Sequence, residues 1–129
     1  MNRQILLIED NEQNRYLATF LLQARDWQVT HAPDGPTGVQ LAEQIQPALI
    51  LLDIQLPGMD GYAVAQALRR NPDLAAVPIV AVTSYAMPGD RERCLESGCN
   101  GYLEKPIDPV TFATDVEAFV PHSDGGERK

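Results

Sequence analysis

Leu49-Ile50-Leu51-Leu52, followed by Asp53-Ile54-Gln55-Leu56-Pro57-Gly58-Met59-Asp60-Gly61, is a short apolar run, then one carboxylate, then a turn toward a helix. A half-exposed strand alternates apolar and polar residues. Four apolar residues in a row instead predict a strand covered on both faces. Asp60 before Gly61 is an N-cap, so a helix opens where the turn ends. This strand, loop and helix make one unit of a strand-helix alternation.

The alternation continues on both sides. Gln4 to Ile8, Gln28 to His31, Ile79 to Val82 and Gly101 to Leu103 read as strands, the first and third of these again nearly continuously apolar. Between them, Tyr16, Leu17, Phe20, Leu21 and Ala24 predict a first helix with that face on the sheet, and Val64, Ala67 and Leu68 do the same for the third. The second helix, Thr37 to Ile45, is expected to begin late or fray, because Gly35, Pro36 and Gly38 crowd its start and an interior Gly costs about 1 kcal/mol relative to Ala. Ser97-Gly98 closes the fourth helix. Asp108-Pro109 is expected to cap the fifth with Pro at its first position, ahead of Phe112, Val116 and Phe119 on one side. Five strands alternating with five helices predict an α/β fold, a doubly wound (βα)5 three-layer sandwich around a parallel sheet.

Composition narrows the function. A chain of 129 residues suggests one domain, expected to span 1–120, with Pro121 to Lys129 a disordered tail that has no apolar anchor. Ten Lys and Arg against 18 Asp and Glu give a net charge of −8, which repels phosphate backbones and anionic lipid surfaces, so neither nucleic acid nor membrane is expected as a partner. No stretch reaches the ~20 apolar residues of a bilayer span. Met1-Asn2-Arg3-Gln4 leads into Ile5 to Ile8 and then acids without a signal-peptide pattern, so the expected location is cytoplasmic. Cys94 and Cys99 with His31 and His122 form neither a disulfide framework nor a zinc spacing, and both thiols read as reduced and structural. Trp27 reads as packing, His31 as a strand-end residue and His122 as part of the tail.

In open α/β sheets ligands bind beyond the carboxyl ends of the strands. Those positions hold Glu9-Asp10, Asp53, Thr83-Ser84, and Tyr102 leading to Lys105-Pro106. Each alone is an ordinary surface residue. Together, three clustered carboxylates raise one another's pKa unless a cation sits among them, and oxygen-only donors select a hard ion such as Mg2+. An Asp in such a site is a candidate phosphoryl acceptor, with Lys105 neutralising charge and Thr83 donating a hydrogen bond.

Ile8-Glu9-Asp10-Asn11-Glu12, Leu51-Leu52-Asp53-Ile54-Gln55-Leu56-Pro57-Gly58-Met59-Asp60-Gly61, Val80-Ala81-Val82-Thr83-Ser84 and Gly101-Tyr102-Leu103-Glu104-Lys105-Pro106 occur in this order. On these motifs, residues 4 to 120 resemble a receiver domain of the two-component response-regulator family, with its flavodoxin-like fold. The resemblance implies strand order 2-1-3-4-5. It implies that Asp53 accepts a phosphoryl group from a histidine kinase or histidine phosphotransfer protein. It also implies that Asp10 and Asp53 ligate Mg2+ with the Gln55 carbonyl, and that Glu9 acts mostly through water. Thr83 and Lys105 would contact the phosphoryl oxygens, Tyr102 would be the aromatic switch, and Lys105-Pro106 would be cis. Such a protein is no enzyme beyond its own phosphorylation and dephosphorylation. Its output would be a change in affinity for a protein partner, or a phosphorylation-dependent dimer, on the face of the fourth helix, fifth strand and fifth helix, near Arg91, Cys94 and Leu95.

Pro36 and Gly38 depart from the family's steadier second helix, and Gln55 and Tyr85 occupy variable positions beside the acceptor. A haloacid-dehalogenase-type phosphatase would need a second Asp where Gln55 stands. An FMN carrier would need a Ser, Thr and Gly-rich first loop where Glu9-Asp10-Asn11-Glu12 would repel phosphate. A free-standing regulator and a receiver cut from a larger hybrid kinase or multidomain regulator share all of these motifs.

Overall fold

A computed structural model describes residues 2–56, 58–84 and 88–120. Tyr85 and the 121–129 segment lie outside the described residues. Strands β1 (Gln4–Ile8), β2 (Gln28–Ala32), β3 (Leu49–Asp53), β4 (Ile79–Thr83) and β5 (Gly101–Glu104) alternate with helices α1 (Glu12–Gln23), α2 (Gly35–Ile45), α3 (Gly61–Arg69), α4 (Asp90–Glu96) and α5 (Phe112–Glu117). A 3₁₀ turn, Pro72–Leu74, lies between α3 and β4. The sheet is parallel throughout, in the order 2-1-3-4-5.

The unbroken apolar run of β3 follows from its central place. Ile50 and Leu52 point into a core shared with Leu6, Ile8, Val64, Leu68 and Leu74, while Leu49 and Leu51 point into a second core with Leu22, Val80, Phe112 and Val116. Every residue of β3 and β4 is buried. Burying each such aliphatic side chain contributes roughly 1.5–3 kcal/mol, so these strands anchor whatever their ends carry. Four strands run one residue past the apolar runs, taking in Ala32, Asp53, Thr83 and Glu104.

Three local expectations need correction. Helix α2 does not start late. It begins at Gly35, with Asp34 as N-cap accepting the Thr37 N–H at 2.8 Å and Pro36 in the first turn, where it forfeits no bond. Gly38 is required by closeness: a Cβ there would lie 2.5 Å from Ile8 Cδ1, so the glycine lets α2 settle on β1. In α1 the inward stripe is Ala18 and Leu22, whereas Tyr16 and Phe20 are 73% and 61% exposed. The doubled apolar pattern lies beside the stripe that meets the sheet, and of it only Leu21 packs, partly buried, against the core. Finally, Asp108 does not cap α5 directly. Its carboxylate accepts the Val110 N–H at 2.9 Å, the local turn that Asp favours, and the chain passes through a tight turn before α5 opens at Phe112.

Gly98, at φ +111°, closes α4: its N–H bonds to Leu95 O, and the Cys99 N–H bonds to Cys94 O. Cys94 and Cys99 are both free and buried, and burial pushes both thiols up, Cys99 to about 12. Reduced, structural thiols fit that setting. Trp27 is buried as expected. No helix among the described residues is long and apolar enough to cross a membrane.

Candidate functional site

From β1 the chain steps outward to β2, then crosses to β3 on the other side, which opens a crevice between the carboxyl ends of β1 and β3. Register brings their ends level, with Ile8 beside Leu52 and Asp53 beside Val82. Glu9 and Asp10 therefore leave β1 where Asp53 ends β3. Carboxylate oxygens of the three lie within 4.8 Å of one another, Glu9 and Asp53 each 3% exposed and Asp10 exposed at the mouth.

Lys105, just past β5, reaches back over this cluster. Its backbone N–H bonds to Thr83 O at 2.8 Å, and its Nζ lies 3.3 Å from Asp53 Oδ2 and 3.2 Å from Glu9 Oε1. The Lys105-Pro106 peptide is cis. Asp53 Oδ1 accepts the Gln55 N–H at 2.9 Å, and Glu9 Oε2 accepts the Asn11 N–H at 3.2 Å. Among the described residues the Lys105 ammonium thus pairs with two carboxylates of a cluster of three. The imbalance shows in Glu9: burial first, then its hydrogen bond to Asp53 and the charge of Asp53, push its pKa up to about 7, against the pull of Lys105 and the Asn11 N–H.

Thr83, 3% exposed, ends β4 on the far side of Asp53. Its Oγ1 accepts from Gln55 Nε2 at 2.7 Å. Tyr102 is not part of the carboxylate cluster. It lies on β5 beside Ala81, half-buried against the core under α2 and α3, and burial together with Glu104, Asp90 and Cys94 raises its phenol pKa.

Two roles were not visible in the sequence. His31 Nε2 lies 2.7 Å from the Glu9 carbonyl while its Nδ1 lies 3.2 Å from Arg15 of α1. Since the guanidinium can only donate, Nδ1 accepts and Nε2–H donates, which fixes the backbone from which Glu9 and Asp10 project. The β1–β2 pairing, with Leu7 beside His31, is the signal that could have found it. The second role is the side chain of Gln55, whose amide joins β3 to β4.

A parallel 2-1-3-4-5 sheet with an acidic crevice, a lysine and a hydroxyl at its carboxyl edge defines a phosphoacceptor module, and the response regulator receiver domain profile matches residues 5–117. The chain belongs to that family, the receivers of two-component signalling. It is 35% identical over 120 residues to the polar-differentiation response regulator DivK of Brucella ovis, covering 93% of this chain and 98% of that one. The receiver domain of the Pseudomonas aeruginosa sensor histidine kinase PA1611 is also 35% identical, with a TM-score of 0.83 and coverage of 92% and 98%. That domain has a magnesium ion coordinated in its active site cleft. The chemotaxis protein CheY4 of Vibrio cholerae, 23% identical over 93% of this chain and 100% of that one, shares the fold with a TM-score of 0.88.

Proposed function

We propose that residues 1–120 form a phosphoacceptor receiver that takes a phosphoryl group from a histidine kinase or histidine phosphotransfer protein onto Asp53 and thereby changes its affinity for a protein partner. The observation that carries this reading is the Glu9, Asp10 and Asp53 cluster within 4.8 Å, with Lys105 at 3.3 Å from Asp53 Oδ2.

The donor set fits Mg2+. All three groups are oxygen ligands, and Asp10 at the exposed mouth leaves room for the waters that Mg2+ keeps. Asp10, Asp53 and the Gln55 carbonyl would hold the ion directly, with Glu9 acting through water. When bound, it supplies positive charge against the incoming phosphoryl oxygens. The Asp53 carboxylate attacks phosphorus, its O–P bond forming as the P–N bond to the donor imidazole breaks. Lys105 stays beside the new acyl phosphate and neutralises part of its charge, and Thr83 donates its hydroxyl to a phosphoryl oxygen. Movement of Thr83 gives Tyr102 space to turn inward, a shift between two populated states that reshapes the face of α4, β5 and α5. The downstream partner, or a second phosphorylated copy, docks there. The chain acts on its own Asp53 and turns over no other substrate. A receiver carried on a larger histidine kinase, as the PA1611 domain is, would use the same chemistry.

Intact-mass measurement after incubation with acetyl phosphate tests the assignment. The expected result is one added phosphoryl group in wild type, dependent on Mg2+, and none in Asp53→Asn. Wild-type uptake in Asp53→Asn would remove Asp53 as the acceptor.

A further inference from the structure

The carboxamide of Gln55 spans from the acceptor strand to the end of β4 and is bonded at both ends. Its Nε2 donates to Thr83 Oγ1 at 2.7 Å, while its Oε1 accepts from Ser84 Oγ at 2.9 Å and from the Ser84 backbone N–H at 3.4 Å. Chemistry fixes the orientation. A backbone N–H can only donate, so the amide atom facing it is oxygen, and the nitrogen therefore faces Thr83. The backbone N–H of the same residue bonds to Asp53 Oδ1 at 2.9 Å. One residue thus holds the candidate acceptor through its main chain and the candidate switch hydroxyl through its side chain.

We infer that Gln55 is a positioning residue that latches Thr83 and Ser84 in the unphosphorylated setting, so that the switch is released only when a phosphoryl group on Asp53 draws the Thr83 hydroxyl away. The inference rests on Asp53 being the phosphoryl acceptor. Thr83 is 3% exposed, so water does not replace the lost amide bond cheaply. A phosphoryl oxygen is a charged acceptor, and hydrogen bonds to charged groups are roughly twice as strong as neutral ones, so the phosphoryl group prevails. Oε1 holds Ser84 at the same time, so the one amide ties two consecutive residues at the end of β4. The latch therefore sets how much of the switched state exists before any phosphoryl group arrives. A neutral hydrogen bond's net worth corresponds to a population change of roughly 2- to 12-fold.

The test is solution NMR of the full chain in four forms: wild type, Gln55→Leu, Thr83→Ala and the double variant, each with and without saturating beryllofluoride and Mg2+. Tyr102 ring resonances and, where present, the Thr83 methyl report the switch. In Gln55→Leu without beryllofluoride these resonances are expected to lie displaced toward the wild-type saturated positions, with the switched population raised roughly 2- to 12-fold. In the Thr83→Ala background the same substitution is expected to leave Tyr102 where it was, because the amide no longer has the Thr83 hydroxyl, the group that couples to Tyr102, to hold. Resonances of unliganded Gln55→Leu at wild-type positions would overturn the latch, and so would an equal Tyr102 shift in both backgrounds. Gln55→Met repeats the comparison if the Leu variant does not fold. Wild type that fails to respond to beryllofluoride with Mg2+ would overturn the acceptor reading instead, an outcome separate from either result on Gln55.

Discussion

The two edges of the sheet treat a carboxylate in opposite ways. At the amino edge, Glu117 of α5 accepts from Arg25 Nη2 at 2.8 Å and from Trp27 Nε1 at 2.9 Å, while Arg3 stacks over the Trp27 ring at 4.0 Å. One carboxylate there meets one guanidinium and an indole donor, and a second guanidinium covers the indole. At the carboxyl edge, three carboxylates cluster and Lys105 pairs with two of them, Glu9 and Asp53. The amino edge is a closed staple that ties α5 to the turn before β2. The carboxyl edge is short of positive charge, a deficit that suits it to a cation.

The comparison is broken most forcefully at Trp27. Trp27→Ala removes a buried ring together with its hydrogen bond, and is expected to cost about 3–5 kcal/mol in chemical denaturation. Mg2+ affinity of the folded fraction should stay at the wild-type value. A large loss of Mg2+ affinity with little loss of stability would show that the two edges are not separate.

A pH series sharpens the contrast. The Glu9 pKa is raised from 4.5 to about 7 in the fold, so between those values the folded state binds a proton that the unfolded chain has released. This contribution is fully present below pH 4.5 and is lost as pH rises through about 7. Metal-free protein is therefore expected to lose up to about 3 kcal/mol across that window from this group, an effect absent in Glu9→Gln. Added Mg2+ should restore stability mostly at the upper end, where the carboxylates are charged. Parallel denaturation curves for wild type and Glu9→Gln at pH 5 and pH 8 would contradict the charge deficit.

The smallest effect is expected at Glu117→Gln. The Arg25 pair is partly exposed, at 44% and 31%, so losing the charge should cost no more than about 1 kcal/mol. Added salt should shrink the difference from wild type, and Mg2+ should leave it unchanged.

What the sequence reveals of this molecule follows from the range of each interaction. The continuous apolar runs of β1, β3 and β4 report burial on both faces, and the polar residues after them mark the crevice without any coordinates. Asp53 and Thr83 themselves belong to the strands, yet an apolar signal stops one residue short because the last residue of each strand is polar. Tyr16 and Phe20 share the apolar periodicity of α1 yet stay exposed, because periodicity marks an apolar side without fixing that the sheet covers the neighbouring stripe of Ala18 and Leu22. The start of α2 is not legible in the sequence because the cost of Gly38 is local, while its reason, contact with Ile8, is tertiary. The hydrogen bonds from His31 to Glu9 and from Gln55 to Thr83 join residues 22 and 28 positions apart, and depend on strand order and register that no local pattern encodes.

The contact between Gly38 and Ile8 also restricts the routes by which this chain can diverge. Gly38→Ala would gain about 1 kcal/mol of helix propensity but meet Ile8 at overpacking distance, a cost of roughly 1–3 kcal/mol, so it is unfavourable as a first step. A smaller residue at position 8 would relieve that contact but remove packing from the residue directly before Glu9. The fit of α2 on the sheet and the footing of the acidic crevice thus depend on the same side chain, Ile8.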